Sequence, residues 1–434
     1  MTEVRPAGQK SARLSGFAII LIATAVAGIA SYAVTILVPN LIGLADYAIF
    51  AVFWSASYLL VGALGGIQQE VSRATRPAEP GVAQRGSRSR GFGAATSALS
   101  FVAIIVSAPL WVGSVFPGQG WTLVWPLAVG AASYVLVAVL AGSLYGVKAW
   151  APLALMIAVD ALFRLTALSI TLVFTHDIVA LCWAVALPFP ATLGVLWPII
   201  RKSIVGRYRL DVGYRKLSWN VARTVTAATA TAMMVSGFPL LLGLTSHSES
   251  PAILGMFIVS ITLTRAPLIV VALSLQSYFV VHFRDNHEHF WSYFLRLIGL
   301  VLAGGVALAS AGWLLGPAAY HCLFPNKLQP DAPFFAILVG SSALVAALCV
   351  TAPALLARSK HLIYSAGWVA AALVTIIALV LPLGFASRTI AALVFGPIVG
   401  LIVHGSYLIS AGLRERNIAR IASPGRPGTR PPGH

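Results

Sequence analysis

The sequence predicts an all-α polytopic membrane protein: twelve transmembrane helices in two parallel six-helix lobes around a central cavity. Three observations predict it. Only 9% of the 434 residues are charged while 59% are hydrophobic, whereas soluble domains carry about a quarter charged residues. Apolar runs of roughly 20 residues, enough to cross a hydrocarbon core of about 30 Å, recur twelve times. A short Pro-to-Gly signature returns in the second half of the chain at the matching place.

The runs cover approximately 14–38, 46–68, 92–112, 122–146, 152–175, 178–200, 218–244, 252–281, 291–315, 333–357, 362–384 and 389–412. The first follows Arg5, Lys10 and Arg13 as a signal peptide would, but it is longer than the 7–15 residues of such a segment and lacks a small-residue cleavage site. It reads as the first membrane helix. The second opens with Asp46, a carboxylate favoured by the helix dipole, and closes on Gln68, Gln69 and Glu70. The stretch from Gln69 to Gly91 reads as a mobile basic linker. Tyr47, Trp121, Trp125 and Tyr320 fit an aromatic belt at the membrane surface. The outer segments, including the longest around 316–332, are too short for a folded catalytic domain. The tail from Ser423 to His434 is rich in Pro, Gly and Arg and reads as disordered.

The chain carries 29 Lys and Arg against 12 Asp and Glu, a formal charge of +17. In a soluble protein that would suggest nucleic acid; here it is a topology signal. With the N-terminus inside, 23 of the basic residues fall on inner segments and only Lys327 and Arg388 on outer ones, the asymmetry of the positive-inside rule. Both termini are thereby assigned to the cytoplasm, in a multi-pass protein of the cytoplasmic membrane whose basic face attracts anionic membrane lipids. No nucleic-acid partner is expected. Cys182, Cys322 and Cys349 lie far apart and suggest neither a disulfide framework nor a metal site; no cofactor is expected.

The first run ends Pro39-Asn40-Leu41-Ile42-Gly43-Leu44 and the seventh ends Pro239-Leu240-Leu241-Leu242-Gly243-Leu244. The following runs, Phe50 to Gln69 and Phe257 to Gln276, also correspond. A six-plus-six duplication explains this. Because six is even, the copies share one orientation and the repeat is parallel. The chain then divides into an N-terminal lobe (1–200), a basic cytoplasmic linker (201–217), a C-terminal lobe (218–412) and a disordered basic cytoplasmic tail (413–434).

Ionisable groups at bilayer depth are costly and are therefore candidates for function. Arg265 lies near mid-membrane with no acidic residue in its own helix, and Pro267 beside it is expected to loosen the helix. It reads as cavity-lining. Arg164 has Asp160 one turn away, so the two read as a structural pair, with a gating pair as the alternative. Arg223 and Arg296 are near inner helix ends and can snorkel, but Arg223 stands in the counterpart of the first helix and is equally a cavity candidate. Glu70 reads as an inner-gate residue. His404 is either a polar helix contact or a proton site. Deep arginines suit an anionic ligand, because guanidinium grips phosphate bidentately; a proton-coupled exporter of cations would need a free buried carboxylate.

The stretch V-P-N-L-I-G-L-A-D-Y-A-I-F-A-V-F-W-S from Val38 to Ser55, with G-A-L-G-G-I-Q-Q-E-V-S-R ending at Arg73, resembles the beginning of polysaccharide-repeat (Wzx-type) flippases. These belong to the multidrug/oligosaccharidyl-lipid/polysaccharide exporter superfamily. The resemblance covers the whole chain as topology and about 35 residues as motif. It implies alternating access by rocking lobes, moving a polyprenyl-phosphate- or pyrophosphate-linked saccharide to the outer leaflet for cell-envelope polysaccharide assembly, with glycosyltransferases of the same pathway as partners. By role, Arg265 and Arg223 would receive the phosphate. The sequence departs from the family in having few cavity charges and a long basic linker after helix two. Alternatives are a multidrug exporter of the same superfamily, a major-facilitator transporter, whose G-x-x-x-D-R-x-G-R-type turn is missing between Gly62 and Arg76, and a polyprenyl-phosphate-sugar-dependent glycosyltransferase using Asp46.

Overall fold

The computed structural model describes residues 8–77, 87–206, 208–285 and 290–422. Arg5, Arg85, Arg207 and the tail from 423 onward lie outside the described residues. Every expected run is helical. In chain order the helices are α1 (Gly8–Ile42), α2 (Leu44–Ala74), α3 (Ser87–Val115), α4 (Trp121–Gly146), α5 (Trp150–Phe174), α6 (Ile178–Ala186) and α7 (Pro188–Ile204), then α8 (Tyr214–Val235), α9 (Phe238–Thr245), α10 (Pro251–Asp285), α11 (Phe290–Leu323), α12 (Ala332–Ala357), α13 (His361–Leu379) and α14 (Phe385–Ala422). Ten segments are long and apolar enough to cross a membrane, with α6 and α7 forming one of them, and the bent pair α8–α9 makes an eleventh. The remaining expected run is filled by α10, a continuous helix of 35 residues.

The helix partners repeat. In the first lobe α1 packs on α5, α2 and α3 on α4, α4 on α6, and α5 on α7; in the second α8 packs on α13, α10 and α11 on α12, α12 on α14, and α13 on α14. Replacing each helix by the one six spans later converts the first set into the second. The lobes meet where α2 contacts α8, α9 and α10, and where α1 contacts α10.

Small residues permit these contacts. A Cβ on Gly66 would lie 2.7 Å from the Val225 backbone nitrogen, and one on Gly62 would lie 2.7 Å from the Ala232 Cβ. Gly62 and Gly66 thus form a G-x-x-x-G seam against α8, across the lobe boundary. The same spacing at Gly142 and Gly146 seats α4 on α2, and at Gly396 and Gly400 seats α14 on α13. Because lipid tails are as apolar as Leu, helices associate in a membrane through such close backbone approach.

Four expectations are corrected. The seventh run is not one straight helix: α8 and α9 meet at 72°. Ser236 and Gly237 are poor helix formers, and Pro239 lacks the N–H that would reach the Val235 carbonyl. In the first lobe Pro39 sits in the last turn of α1, after Leu37 and Val38, and α1 stays whole. Second, the linker after span two begins later than expected, because α2 continues to Ala74 and is followed by a strand, β1 (Thr75–Pro77), which pairs antiparallel with β2 (Tyr208–Leu210) of the inter-lobe linker. Third, α14 runs to Ala422; the Arg, Glu, Ala and Ile residues after Leu413 are helix-compatible until Pro424. Fourth, Tyr47 and Tyr320 are buried core residues, whereas Trp121 and Trp125 are exposed as a belt requires. Pro267 lies within the continuous helix α10, but its side chain is outside the described residues.

Candidate functional site

A cavity of about 230 Å³ lies between the lobes, walled by α1, α2, the α8–α9 break and α10. At about 30 Å³ per water it holds a small polar group rather than a whole lipid-linked molecule.

One wall is an aromatic stripe on α2. Tyr47, Phe50, Trp54 and Tyr58 follow helical spacing and all line the cavity; Trp54 and Tyr58 stack with centroids 4.8 Å apart. Opposite stands Arg265 of α10, 5% exposed. Its Nη2 donates to the Met234 carbonyl at 3.1 Å, a group at the frayed end of α8 that the break deprives of a helical partner. The guanidinium lies over the Phe238 ring at 5.6 Å. Its Nε and Nη1 are buried and have no acceptor among the described residues. An arginine presents five N–H donors, so three go unanswered on these two atoms, in a setting where an unmet charged donor is expensive. Whichever proton of Nη2 serves Met234, its other proton shares an edge of the guanidinium with Nε or Nη1, and neither of those nitrogens has an acceptor among the described residues.

The break is fastened from the other lobe. Ser55 of α2 donates to the Ser236 carbonyl and accepts from the Leu240 N–H at 3.0 Å. Leu240 is in the first turn of α9, whose own N-cap, Gly237, supplies no side chain; Ser55 therefore caps that helix from across the interface. Sequence reading missed Ser55, because its partners are about 180 positions away. The Gly62–Gly66 seam was also missed, though its spacing is a recognisable signal.

The other expected site residues are distributed elsewhere. Arg223 is on the exposed face of α8, about 16 Å along the helix from Met234 at 1.5 Å per residue, and does not line the cavity. It is not brought together with Arg265. Arg164 is buried and fully engaged: it pairs with Asp160 at 3.0 Å, donates to the Tyr58 hydroxyl at 2.9 Å and the Val185 carbonyl at 3.2 Å, and lies 4.5 Å from the Phe189 ring centre. That pair ties α5 to α2 and α6. Tyr58 is thereby held in place at the cavity wall.

Glu70 accepts from Arg73 and from Thr224 Oγ1 (2.9 Å), linking α2 to α8 at the basic end of the molecule. Arg76 and Asp211 pair beside it at 3.4 Å. His404 is buried among α12, α13 and α14. Its Nε2 is 3.1 Å from the Tyr364 carbonyl, which can only accept, so that nitrogen is the donor, and its Nδ1 is 2.8 Å from Thr351 Oγ1. Both ring nitrogens are used, away from the cavity, as in a polar helix contact. Arg296 is exposed near the start of α11, as snorkelling requires. Among the described residues, no three His, Cys, Asp or Glu come together as a metal site.

No model of a known protein family matches the sequence. The fold is shared with a multidrug resistance MATE family transporter of the MOP superfamily in an inward-facing conformation (TM-score 0.65, 14% identity, 91% of this chain and 98% of that one). It is shared as well with the lipid II flippase MurJ in an inward closed conformation (TM-score 0.66, 10% identity, 90% and 87%). At these identities the likeness is one of fold. In sequence the chain is 33% identical over 368 residues to uncharacterized protein Rv3630 of Mycobacterium tuberculosis, covering 82% of this chain and 83% of the relative. It is 31% identical over 365 residues to uncharacterized protein Rv1510 of the same organism, with the same coverage. A two-lobed membrane fold, a cavity between the lobes and this identity over four-fifths of both chains place the protein: it belongs to the family of Rv3630 and Rv1510.

Proposed function

We propose that the protein is a transporter that flips a polyprenyl-phosphate- or pyrophosphate-linked saccharide across the cytoplasmic membrane by alternating access, for cell-envelope polysaccharide assembly. The observation that carries this reading is Arg265: a buried cation at the inter-lobe cavity with two nitrogens that lack acceptors among the described residues. Such a group calls for an oxyanion. The aromatic stripe from Tyr47 to Tyr58 supports the saccharide half of the reading, since ring faces pack against apolar sugar surfaces as they do against other flat groups. Sharing a fold with a lipid II flippase is compatible with it. Both termini face the cytoplasm in this reading, on the strength of the basic asymmetry, and glycosyltransferases of the same pathway supply the cargo.

A multidrug exporter is the second reading, favoured by the MATE-type fold and the same aromatic stripe. Among the described residues, however, the cavity wall carries no carboxylate to receive a cationic drug, and Asp160 is committed to Arg164.

The test is reconstitution in vesicles with a labelled polyprenyl-phosphate sugar, following its exposure in each leaflet. Arg265→Ala is expected to slow flipping by about tenfold or more, and Arg265→Lys less, because a charge-assisted bidentate contact is lost. Wild-type flipping rates in Arg265→Ala would sink the residue assignment. Failure of the wild-type protein to flip the sugar lipid, with export of a cationic dye instead, would sink the function.

A further inference from the structure

The exposed faces of the spanning helices are apolar almost throughout: Leu99, Val102, Val106 and Leu110 on α3, and Leu295, Leu300, Val306 and Leu314 on α11. Exposed cations occur at the end of α7 (Arg201, Lys202) and near the start of α11 (Arg296), but α8 carries three on one helix. Its exposed residues are Tyr214, Arg215, Lys216, Ser218, Trp219, Ala222, Arg223 and Thr226. At 100° per residue, Arg215, Trp219, Ala222, Arg223 and Thr226 fall in one sector about 100° wide, with Lys216 at its edge. Leu217, Val221 and Ala232, which are buried, occupy the opposite side. This face is not built to meet lipid tails.

Its charge is uncompensated. Among the described residues none of Arg215, Lys216 and Arg223 has an acidic partner. Arg215 and Lys216 stand in the first turn of α8, where the helix dipole disfavours cations. Trp219, 66% exposed, projects between them and Arg223, and an open groove is lined by Arg215, Lys216, Ser218 and Trp219. The helix then continues from this end to the α8–α9 break, where the Met234 carbonyl is held by Arg265.

We propose that this face of α8 is a docking site for the phosphate headgroup of a polyprenyl-phosphate lipid, which enters here before reaching the cavity. Arg215 and Lys216 meet the phosphate at the membrane surface, Trp219 packs at headgroup level, and Arg223 receives the phosphate about 12 Å further along the axis. A site for bulk anionic phospholipid needs cations only at the surface. The deeper Arg223 and the exposed Thr226 beyond it favour an occupant that moves inward along the helix. The identity of this occupant rests on the transport reading above; the cationic face does not.

The experiment uses the full chain in phosphatidylcholine nanodiscs with a photoreactive short-chain polyprenyl monophosphate, competed with phosphatidylglycerol. Saturable labelling is expected, weakened about tenfold or more in Arg215→Ala/Lys216→Ala/Arg223→Ala and within about threefold of wild type in Arg215→Lys/Arg223→Lys, with the size-exclusion profile and melting temperature as folding controls. Arg265→Ala should bind the probe at this face as the wild type does. Undiminished labelling of the triple variant would overturn the site. Equal displacement by phosphatidylglycerol at matched concentration would overturn the polyprenyl assignment in favour of a general anionic-lipid surface. Binding lost in the triple variant, in a wild-type protein that moves no sugar lipid, would support the site while sinking the transport reading; flipping by the triple variant at wild-type rate and affinity would do the reverse.

Discussion

Ser55 shows how much a single hydroxyl decides at the lobe interface. It answers two backbone groups that the α8–α9 break leaves open, and both belong to the opposite lobe. Ser55→Ala is expected to cost about 1–3 kcal/mol, the penalty for unsatisfied buried groups, read as a lower melting temperature of the detergent-solubilised protein; Ser55→Thr should recover part of it. An unchanged melting temperature would mean that water replaces the hydroxyl. The Asp160–Arg164 pair obeys a different logic. Arg164→Met leaves a carboxylate buried without its cation, at about 3–5 kcal/mol, whereas Asp160→Asn together with Arg164→Met should cost much less than the sum of the single changes. A double-mutant cycle of thermal stabilities checks this; additive losses would show that the two side chains act separately. Spacing alone revealed that pair, because its members are one turn apart. It did not reveal Tyr58 and the Val185 carbonyl, which arrive from other helices.

At the scale of elements, the helices pack where glycine allows it. Gly66 brings the α2 backbone against Val225 of α8, and a Cβ there would meet main-chain atoms, which cannot turn aside. Gly66→Ala should therefore force α2 and α8 apart, with a loss of about 1–3 kcal/mol seen as a lower melting temperature, while Gly65→Ala, which meets nothing within 4 Å, should be neutral or mildly stabilising. Similar losses at both positions would refute close packing as the cause. Gly43 serves another need. With φ 86° and ψ 165° it turns α1 into α2 through a conformation open essentially to glycine alone, which explains the glycine of the P-x-x-x-G-L signature in the first half. In the second half Gly243 lies inside α9, so the same motif is kept in two conformations. Element existence was legible in the sequence; the break in span seven was not, because Pro39 and Pro239 are equivalent as motif and differ in what precedes them.

For the whole molecule, the lobes are joined on both sides of the cavity. At the basic end Glu70 is bonded to Thr224 and Gly66 packs on α8; toward the other end Asn40 Nδ2 donates to the Leu323 carbonyl at 2.9 Å and Gly255 packs on the Leu44 carbonyl. The alternating access proposed above requires each set to separate in turn. A Glu70→Cys/Thr224→Cys protein, with exposed Cys322 replaced by Ser, should form a reducible crosslink that arrests transport, and reductant should restore it. Transport at full rate with the crosslink intact would show that the basic end does not open. Cys182 and Cys349 are buried and should not interfere.

The sequence by itself determined the apolar helical runs, the asymmetry of the basic residues between them, the parallel duplication and the presence of arginines near the middle of runs. These follow from a local rule: a segment that crosses hydrocarbon must be long, apolar and internally hydrogen-bonded. Tertiary structure alone decided how each arginine is met by other helices. Arg164 and Arg265 are both near mid-span and the sequence already gives Arg164 its carboxylate one turn away, but packing adds a hydroxyl and a carbonyl to Arg164 and, among the described residues, gives Arg265 one carbonyl at the cavity wall. It also turned Arg223 away from the cavity and onto the exposed face of α8. Asp160 is one turn from Arg164 in sequence, but the Tyr58 hydroxyl, the Val185 carbonyl and the Met234 carbonyl arrive on other helices, 106, 21 and 31 residues from the arginines they meet, and no local rule reports them.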